Sequence, residues 1–186
     1  MLRKLYLIWR YSNSGTRILN VGCGNLKIKN AVNVDIDKNV KPNVLADGRR
    51  LSFKDKVFDV AFAFDVVEHV ENPEDLISEL ERVAKNVVIE VLDFDKCPKN
   101  WIEDPTHKYY FNEKIFRRML EKRGYKCFKL EGYGRIRLKE ANMLVAVKNP
   151  KRFDRMCWWI FFYLCKLLRR EEYYRQKLLI PQDDKK

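Results

Sequence analysis

The sequence predicts an α/β protein whose core is a mostly parallel sheet flanked by helices, between residues 17 and 148. Strand-like and helix-like segments alternate along this region. The first apolar run, residues 17–21, ends in the glycine turn Gly22-Cys23-Gly24, and the second, residues 31–35, ends in Asp35. Nucleoside pockets in such folds are built from a strand, the glycine-rich turn that follows it, and a neighbouring strand that ends in a carboxylate.

The individual strands follow from short apolar runs bounded by turn residues. They are expected at 17–21, 31–35, 58–64 and 86–92, with a short strand near Val44. Two closing strands, 125–131 and 142–148, are expected to form a hairpin-like end of the sheet.

Two helices are marked by the residues at their ends. The first opens with Asn72 as cap and Pro73 in the first turn, where Glu74 and Asp75 complement the helix dipole. Its core side is apolar at helical spacing: Leu76, Ile77, Leu80 and Val83. The second helix runs from a cap at Asn112 to Gly124, a residue type that commonly ends helices.

The glycine turn has more than one interpretation. A nicotinamide or flavin site needs a third glycine three positions after Gly24, but Lys27 stands there. A purely structural strand-to-loop bend is a further alternative. Asp35 favours a nucleoside ligand, since a carboxylate that ends the next strand can accept hydrogen bonds from both ribose hydroxyls.

Four segments in order resemble the class I S-adenosylmethionine (SAM) dependent methyltransferases, specifically the type 11 methyltransferase family. They are the turn at 21–24, Asp35, residues 46–53 and residues 58–70. The resemblance covers about residues 17–148. It implies a Rossmann-like fold with a mostly parallel seven-stranded sheet, a reduced set of helices and an antiparallel last strand.

The resemblance also implies that the cofactor is SAM. The backbone at 22–24 would contact its methionine part, Asp35 its ribose, and Asp47 with the Gly48 amide its adenine. Without a ligand, Asp35 would be a solvated strand end and Asp47 part of an Asp-Gly turn. The complete set of implied cofactor contacts is Gly22, Cys23, Gly24, Asp35, Ile36, Asp47, Gly48, Phe64 and Asp65.

The connection between the first two strands departs from the family pattern. Only residues 25–31 separate Gly24 from Val32, too few for a helix and its turns. A loop is therefore expected in place of the helix, and the dipole contribution of that helix to cofactor binding is lost or moved.

Two histidines are candidates for catalysis, because methyl transfer needs a base only when the acceptor must lose a proton. His107 lies in a tyrosine-rich loop whose Tyr109 and Tyr110 are candidates for acceptor binding, and it is the preferred base. His69 follows the 58–64 strand and is either catalytic or a structural residue at a helix start.

Several chemistries are disfavoured by what the sequence lacks. Residues 64–67 read Phe-Asp-Val-Val, which is unlike the motif of adenine amino-group methyltransferases. Cys97 before Pro98 has no partner motif for carbon methylation, so a packing or loop role is expected. His69 and His107 are the two histidines, and no carboxylate cluster stands beside either, so no metal site is predicted.

Composition indicates one domain with basic ends. The 186 residues carry a net charge of +12, of which positions 1–20 and 151–186 contribute +9. Five cysteines without a C-x-x-C pair, and no secretory signal, favour reduced thiols and a cytoplasmic location. The expected organisation is a basic N-terminal segment at 1–16, a SAM-binding domain at 17–149 and a basic aromatic extension at 150–186, expected to be helical.

The two ends are aromatic as well as basic. Residues 156–165 are ten apolar or aromatic residues between arginines and lysines, too short to span a bilayer as a helix. They suit a helix in the membrane interface, and residues 2–10 have similar character. Packing on the domain, a homodimer surface and, less favoured, nucleic-acid binding are the alternatives.

The leading hypothesis is a SAM-dependent methyltransferase acting on a small-molecule, glycan or lipid-linked acceptor. An alternative is an inactive methyltransferase-fold protein that serves as a membrane-peripheral or partner-binding module, and another is an RNA methyltransferase.

Overall fold

The computed structural model describes residues 2–96, 103–129, 143–152, 157, 160–161 and 171–180. One seven-stranded sheet forms the centre, with the strand order β3-β2-β1-β4-β5-β7-β6. Its strands are β1 Ile18–Val21, β2 Ala31–Asp35, β3 Val44–Leu45, β4 Phe58–Phe64, β5 Ala84–Leu92, β6 Lys126–Phe128 and β7 Met143–Val147. Strands β1 to β5 are parallel, and β7 is antiparallel to both of its neighbours. The predicted fold class and the antiparallel last strand are therefore confirmed.

Strand β5 begins two residues earlier than predicted. Helix α2, Pro73–Val83, is followed directly by Ala84, which is already extended and pairs with Phe58 of β4. The chain passes from helix to strand without a loop. Such a junction leaves no turn residue in the sequence to mark it.

The described helices cover both faces of the sheet. They are α1 Leu2–Tyr11, α2 Pro73–Val83, α3 Glu113–Glu121 and α4 Glu171–Leu178. Because side chains alternate along a strand, neighbours such as Ala61 and Phe62 point into different cores. The core that contains Ala61 also holds the apolar sides of α2 and α3, whereas the core that contains Phe62 holds α1.

The two predicted helix caps differ in their contacts. The side chain of Asn112 accepts a hydrogen bond from the amide of Ile115 at 2.9 Å, as expected of a cap. Asn72 occupies the cap position of α2, but its side chain makes no cap hydrogen bond and donates to Asp75 instead. The first turn of α2 therefore depends on Pro73 and on acidic residues near the dipole.

Helix α1 belongs to the folded domain. The four residues from Leu5 to Ile8 are completely buried. Arg3 forms an ion pair with the buried Glu90 of β5, and Lys4 donates to Asp65 at 2.5 Å. These contacts fix α1 near the carboxyl ends of β4 and β5.

The loop between β1 and β2 contains no helix, as predicted, and two buried asparagines hold it in place. Asn33 accepts from the Ile28 amide at 2.9 Å and donates to the Ile28 carbonyl at 3.1 Å. The side chain of Asn20 bridges Asn33 and the carbonyl of Leu26. These side chains thus satisfy backbone groups of Leu26 and Ile28 that a helix would otherwise satisfy internally.

Residues of the C-terminal extension lie over the same loop. Leu179 forms an antiparallel bridge with Ile28, and the Ile180 amide donates to the Lys27 carbonyl at 2.8 Å. Phe161 is buried, with its ring 5.4 Å from that of Trp9 in α1. Most of the aromatic stretch 156–165, like Cys97, lies outside the described residues.

Candidate functional site

A cleft of about 330 Å³ opens at the carboxyl ends of β1, β2 and β4. It lies where the strand order reverses direction, because β1 is paired with β2 on one side and with β4 on the other. Ligands of open α/β sheets bind at such switch points. The cleft is lined by Val21, Gly22, Asp35, Ile36, Ala46, Asp47, Gly48, Arg49, Val66, His69, Val70, Glu71, Leu76 and Lys108.

Gly22 forms the floor of the cleft, where the chain leaves β1. Its φ is +63°, and a Cβ atom at this position would lie 2.3 Å from Cγ2 of Val66. A side chain therefore cannot be accommodated without moving the segment after β4. The glycine lets the two strand ends approach each other closely.

Asp35 ends β2 and anchors the glycine turn. One carboxylate oxygen accepts from the Gly24 amide at 2.7 Å, and the other accepts from the Asp37 amide at 3.0 Å. A carboxylate oxygen can accept two hydrogen bonds, so these contacts leave Asp35 with further acceptor capacity. The side chain is thus fixed in orientation and can still accept from two neighbouring hydroxyl groups.

Asp47 and Arg49 form a second charged feature of the lining. Both oxygens of Asp47 accept hydrogen bonds from the Arg49 guanidinium, the shortest at 2.6 Å, and Oδ1 also accepts from the Arg49 amide. The Arg49 hydrogen bonds hold the pKa of the Asp47 carboxyl below its ordinary value. Arg49 already occupies the oxygens that would accept from adenine, so that assignment stays a prediction.

The cleft also has an apolar wall. Ile36 is 72% exposed, although it is a large aliphatic residue at the cleft edge. Val66, Val70 and Leu76 contribute further apolar surface. A flat aromatic ring between these side chains would remove much of that surface from water.

Four of the predicted cofactor contacts lie outside the lining. Cys23 is buried, and burial raises the pKa of its thiol to about 11. The backbone amide of Gly24 is bonded to Asp35, Phe64 packs against Phe62 on the other face of the sheet, and Asp65 pairs with Lys4. Their backbones adjoin the cleft, and their cofactor contacts stay predictions.

The predicted catalytic histidines stack on each other, with ring centroids 4.5 Å apart. His69 lines the cleft, and its Nδ1 lies 2.8 Å from the hydroxyl of Thr106. Thr106 donates its single hydroxyl hydrogen to Asp104 at 2.5 Å, so it accepts from Nδ1–H of His69. Nε2 of His69 then carries the lone pair.

The surroundings of His69 favour its neutral form. Burial lowers the pKa of its imidazole first, and the adjacent His107 lowers it further. The sequence favours His107 as base, whereas in the structure His69 lines the cleft and His107 stacks on it without lining the cleft. Thr106 was not identifiable as a partner of His69 from sequence spacing.

Glu68 precedes His69 and is 2% exposed. Its backbone carbonyl accepts from the amides of Lys108 and Tyr109, at 2.9 and 3.0 Å. These two bonds dock the loop that contains His107 against the end of β4. Burial, reinforced by the nearby Asp65, raises the pKa of the Glu68 carboxyl to about 8.

The predicted acceptor-binding tyrosines lie beside the cleft lining. Tyr109 borders a separate groove of about 530 Å³ together with Ile115 and Met119 of α3. The Tyr110 hydroxyl donates to Asp95 at 3.0 Å. Their role in acceptor binding stays a prediction.

Residues 19–88 match the family model described as a methyltransferase domain. No curated protein sequence matches the chain significantly. Among the described residues, no helix is both long and apolar enough to cross a bilayer.

Solved structures share the fold. A SAM-dependent methyltransferase from Archaeoglobus fulgidus is 20% identical with a TM-score of 0.62, over 78% of this chain and 91% of that chain. A possible histamine N-methyltransferase from Thermotoga maritima is 18% identical with a TM-score of 0.56, over 78% and 87%. The Haloferax volcanii methyltransferase solved in complex with the Trm112 activator is 11% identical with a TM-score of 0.61, over 78% and 87%.

Proposed function

We propose that this chain is a class I SAM-dependent methyltransferase whose methyltransferase domain includes residues 19–88, and that its cleft binds SAM for methyl transfer to a hydroxyl-bearing acceptor. The acceptor would be a small molecule, a glycan or a lipid-linked molecule. The acceptor would enter at the end of the cleft beside His69.

The observation that carries the proposal is the hydrogen bonding of the Asp35 carboxylate. Its two oxygens each accept one backbone amide, and the side chain lines the cleft. A carboxylate offers about four acceptor positions, so Asp35 can accept further hydrogen bonds from a ligand there. A ribose offers two adjacent hydroxyl donors, which match the two oxygens. The exposed Ile36 next to Asp35 gives the adenine ring an apolar surface.

SAM would supply a methyl group on a sulfonium, which is transferred by in-line displacement. The residues of the chain would align the reactants, and alignment can provide much of the rate enhancement. Nε2 of His69 can accept the proton that the acceptor hydroxyl loses, because Thr106 fixes the hydrogen on Nδ1. The neutral form of His69, favoured by burial, is the form that a base requires.

Calorimetric titration with SAM tests the cofactor part of the proposal. Replacing Asp35 by Ala should remove two charge-assisted hydrogen bonds, about 3 kcal/mol in total, and weaken binding on the order of 100-fold. Asp37→Ala is the matched control. Its carboxylate caps a 3-10 turn through Asn39 and does not line the cleft.

Equal weakening by both substitutions would show that Asp35 has no special role. No heat with the unmodified protein at about 1 mM SAM would contradict cofactor binding itself.

The acceptor class needs a second experiment. Methyl-labelled SAM would be incubated with the protein and with separated lipid, glycan, metabolite, RNA and protein fractions of the source cell. Label in the lipid, glycan or metabolite fraction supports the proposed acceptor, and label in RNA favours the alternative. No label in any fraction, with SAM bound, favours an inactive binding module.

A further inference from the structure

Three side chains with metal-binding chemistry meet beside the cleft. One carboxylate oxygen of Glu68 and one ring nitrogen each of His69 and His107 lie within 4.8 Å of one another. Two imidazoles and one carboxylate form a ligand set used for divalent first-row transition metals, and they leave coordination positions open. Ligand atoms around such an ion are about 3.4 Å apart, so small side-chain rotations would complete the geometry.

Glu68 provides an independent observation. Its Oε1 accepts from the Leu92 amide at 3.2 Å, whereas Oε2 is buried and has no hydrogen-bond partner among the described residues. A buried carboxyl oxygen without a hydrogen-bond partner is costly in free energy. Coordination to a cation would offset this cost.

The hydrogen-bond network prepares His69 to be a ligand. Thr106 holds the hydrogen on Nδ1, and the lone pair on Nε2 is the one that would coordinate a metal. Metal-binding histidines commonly have their second nitrogen fixed in this way. Here a hydroxyl backed by the carboxylate of Asp104 serves that purpose.

His107 is positioned by the backbone. The amides of Lys108 and Tyr109 donate to the Glu68 carbonyl, which fixes the residues that follow His107 against Glu68. The positive charge of Lys108 is balanced by Glu71 at 3.1 Å. The neighbouring lysine is therefore compatible with a bound cation.

We propose that Glu68, His69 and His107 bind one divalent first-row transition metal ion at the acceptor end of the cleft. The sequence predicts no metal site, because no carboxylate cluster stands beside either histidine, but Glu68 directly precedes His69 and the fold adds His107. The role of the ion in catalysis rests on the proposed function. With its lone pair on the ion, Nε2 of His69 would no longer act as the base. The acceptor hydroxyl, bound at an open coordination position, would instead release its proton to solvent, and its oxygen would form the bond to the methyl carbon as the carbon–sulfur bond breaks.

Titration with Co²⁺ of the untagged full chain, first treated with EDTA and dialysed, tests the site. Visible absorption reports the coordination, and the chain contains two histidines, so imidazole ligation identifies these two. We expect one Co²⁺ per chain, with affinity reduced more than about 10-fold in His107→Ala and in Glu68→Gln. Glu74→Gln, a matched change at an exposed position of α2, should retain binding.

Absence of one-to-one binding, equal affinity in His107→Ala, or a near-ultraviolet band from thiolate ligation would overturn the proposal. If Glu68→Gln does not fold, as judged by circular dichroism, His107→Ala decides the question, because His107 is a partly exposed loop residue. Calorimetry with SAM in the absence of metal separates this inference from the proposed function. SAM binding without Co²⁺ binding refutes only the metal site, and Co²⁺ binding without SAM binding refutes only the proposed function.

Discussion

Replacing Gly22 by Ala should destabilise the protein far more than the same replacement at Gly24. Both glycines have positive φ, +63° and +44°, so each alanine would carry the cost of a left-handed backbone, about 1 kcal/mol. At Gly24 no heavy atom lies within 4 Å of the added Cβ. At Gly22 the Cβ would lie 2.3 Å from Cγ2 and 2.6 Å from Cβ of Val66.

The second of those contacts cannot be relieved by side-chain rotation, since the Cβ atom of Val66 is fixed to its backbone. The segment after β4 must move, which adds about 1–3 kcal/mol of overpacking. We therefore expect a loss of about 1 kcal/mol in the free energy of unfolding for Gly24→Ala, and about 2–4 kcal/mol for Gly22→Ala.

Urea unfolding, analysed by linear extrapolation, measures both values. Val66→Ala in the Gly22→Ala background removes the closer contact and should restore part of the loss, which a double-mutant cycle quantifies. If the two glycine replacements cost the same within about 0.5 kcal/mol, the close approach of Gly22 and Val66 does not exist in solution.

Three further predictions concern other parts of the molecule. Ile36→Ser should weaken SAM binding about 5-fold in calorimetry with little change in stability, since Ile36 is exposed until a ligand covers it; unchanged affinity would place the adenine elsewhere. Arg3→Met should lower the free energy of unfolding by about 3 kcal/mol, because it leaves the buried Glu90 without its main ion-pair partner; a loss below about 1 kcal/mol would contradict the docking of α1. Hydrogen bonds from Arg82 lower the pKa of Glu79, so the stability from this pair is present above about pH 4.5 and is lost as the pH falls through the lowered pKa. In urea unfolding, the free energy of unfolding at pH 7 should be about 1.5 kcal/mol higher for the unmodified protein than for Glu79→Gln, and this difference should shrink toward pH 3. A difference that does not change with pH would refute the pairing.

The parts of the fold that could be predicted are those that depend on residues close together in the sequence. The glycine turn follows β1 directly, Asp35 ends β2, and the short connection between them excludes a helix. Each of these features depends on residues a few positions apart. Their spacing therefore indicated both the sheet and the position of the cleft.

The features that could not be predicted depend on contacts between distant segments. Backbone hydrogen bonds to Glu68 hold the loop with Thr106 and His107 beside the cleft. Bonds of this kind leave no side-chain pattern in the sequence from which they could be predicted. Residues 2–10 are amphipathic, a pattern that fits a membrane surface as well as a protein core. The structure buries Leu5 to Ile8 of this segment against the sheet.

Arg49 is an intermediate case. It lies two residues after Asp47, so a contact between them was accessible to sequence reasoning. Asp-Gly at 47–48 indicated a turn, and a turn brings such neighbours together. What the spacing could not tell is that the guanidinium occupies both carboxylate oxygens.

A crystal structure with S-adenosylhomocysteine, the demethylated product of SAM, would test cofactor binding in this cleft most directly. We predict that the two ribose hydroxyls lie within about 3 Å of the two oxygens of Asp35, with the adenine against Ile36. A ligand bound away from Asp35, or a cleft without ligand at saturating concentration, would contradict the proposed function.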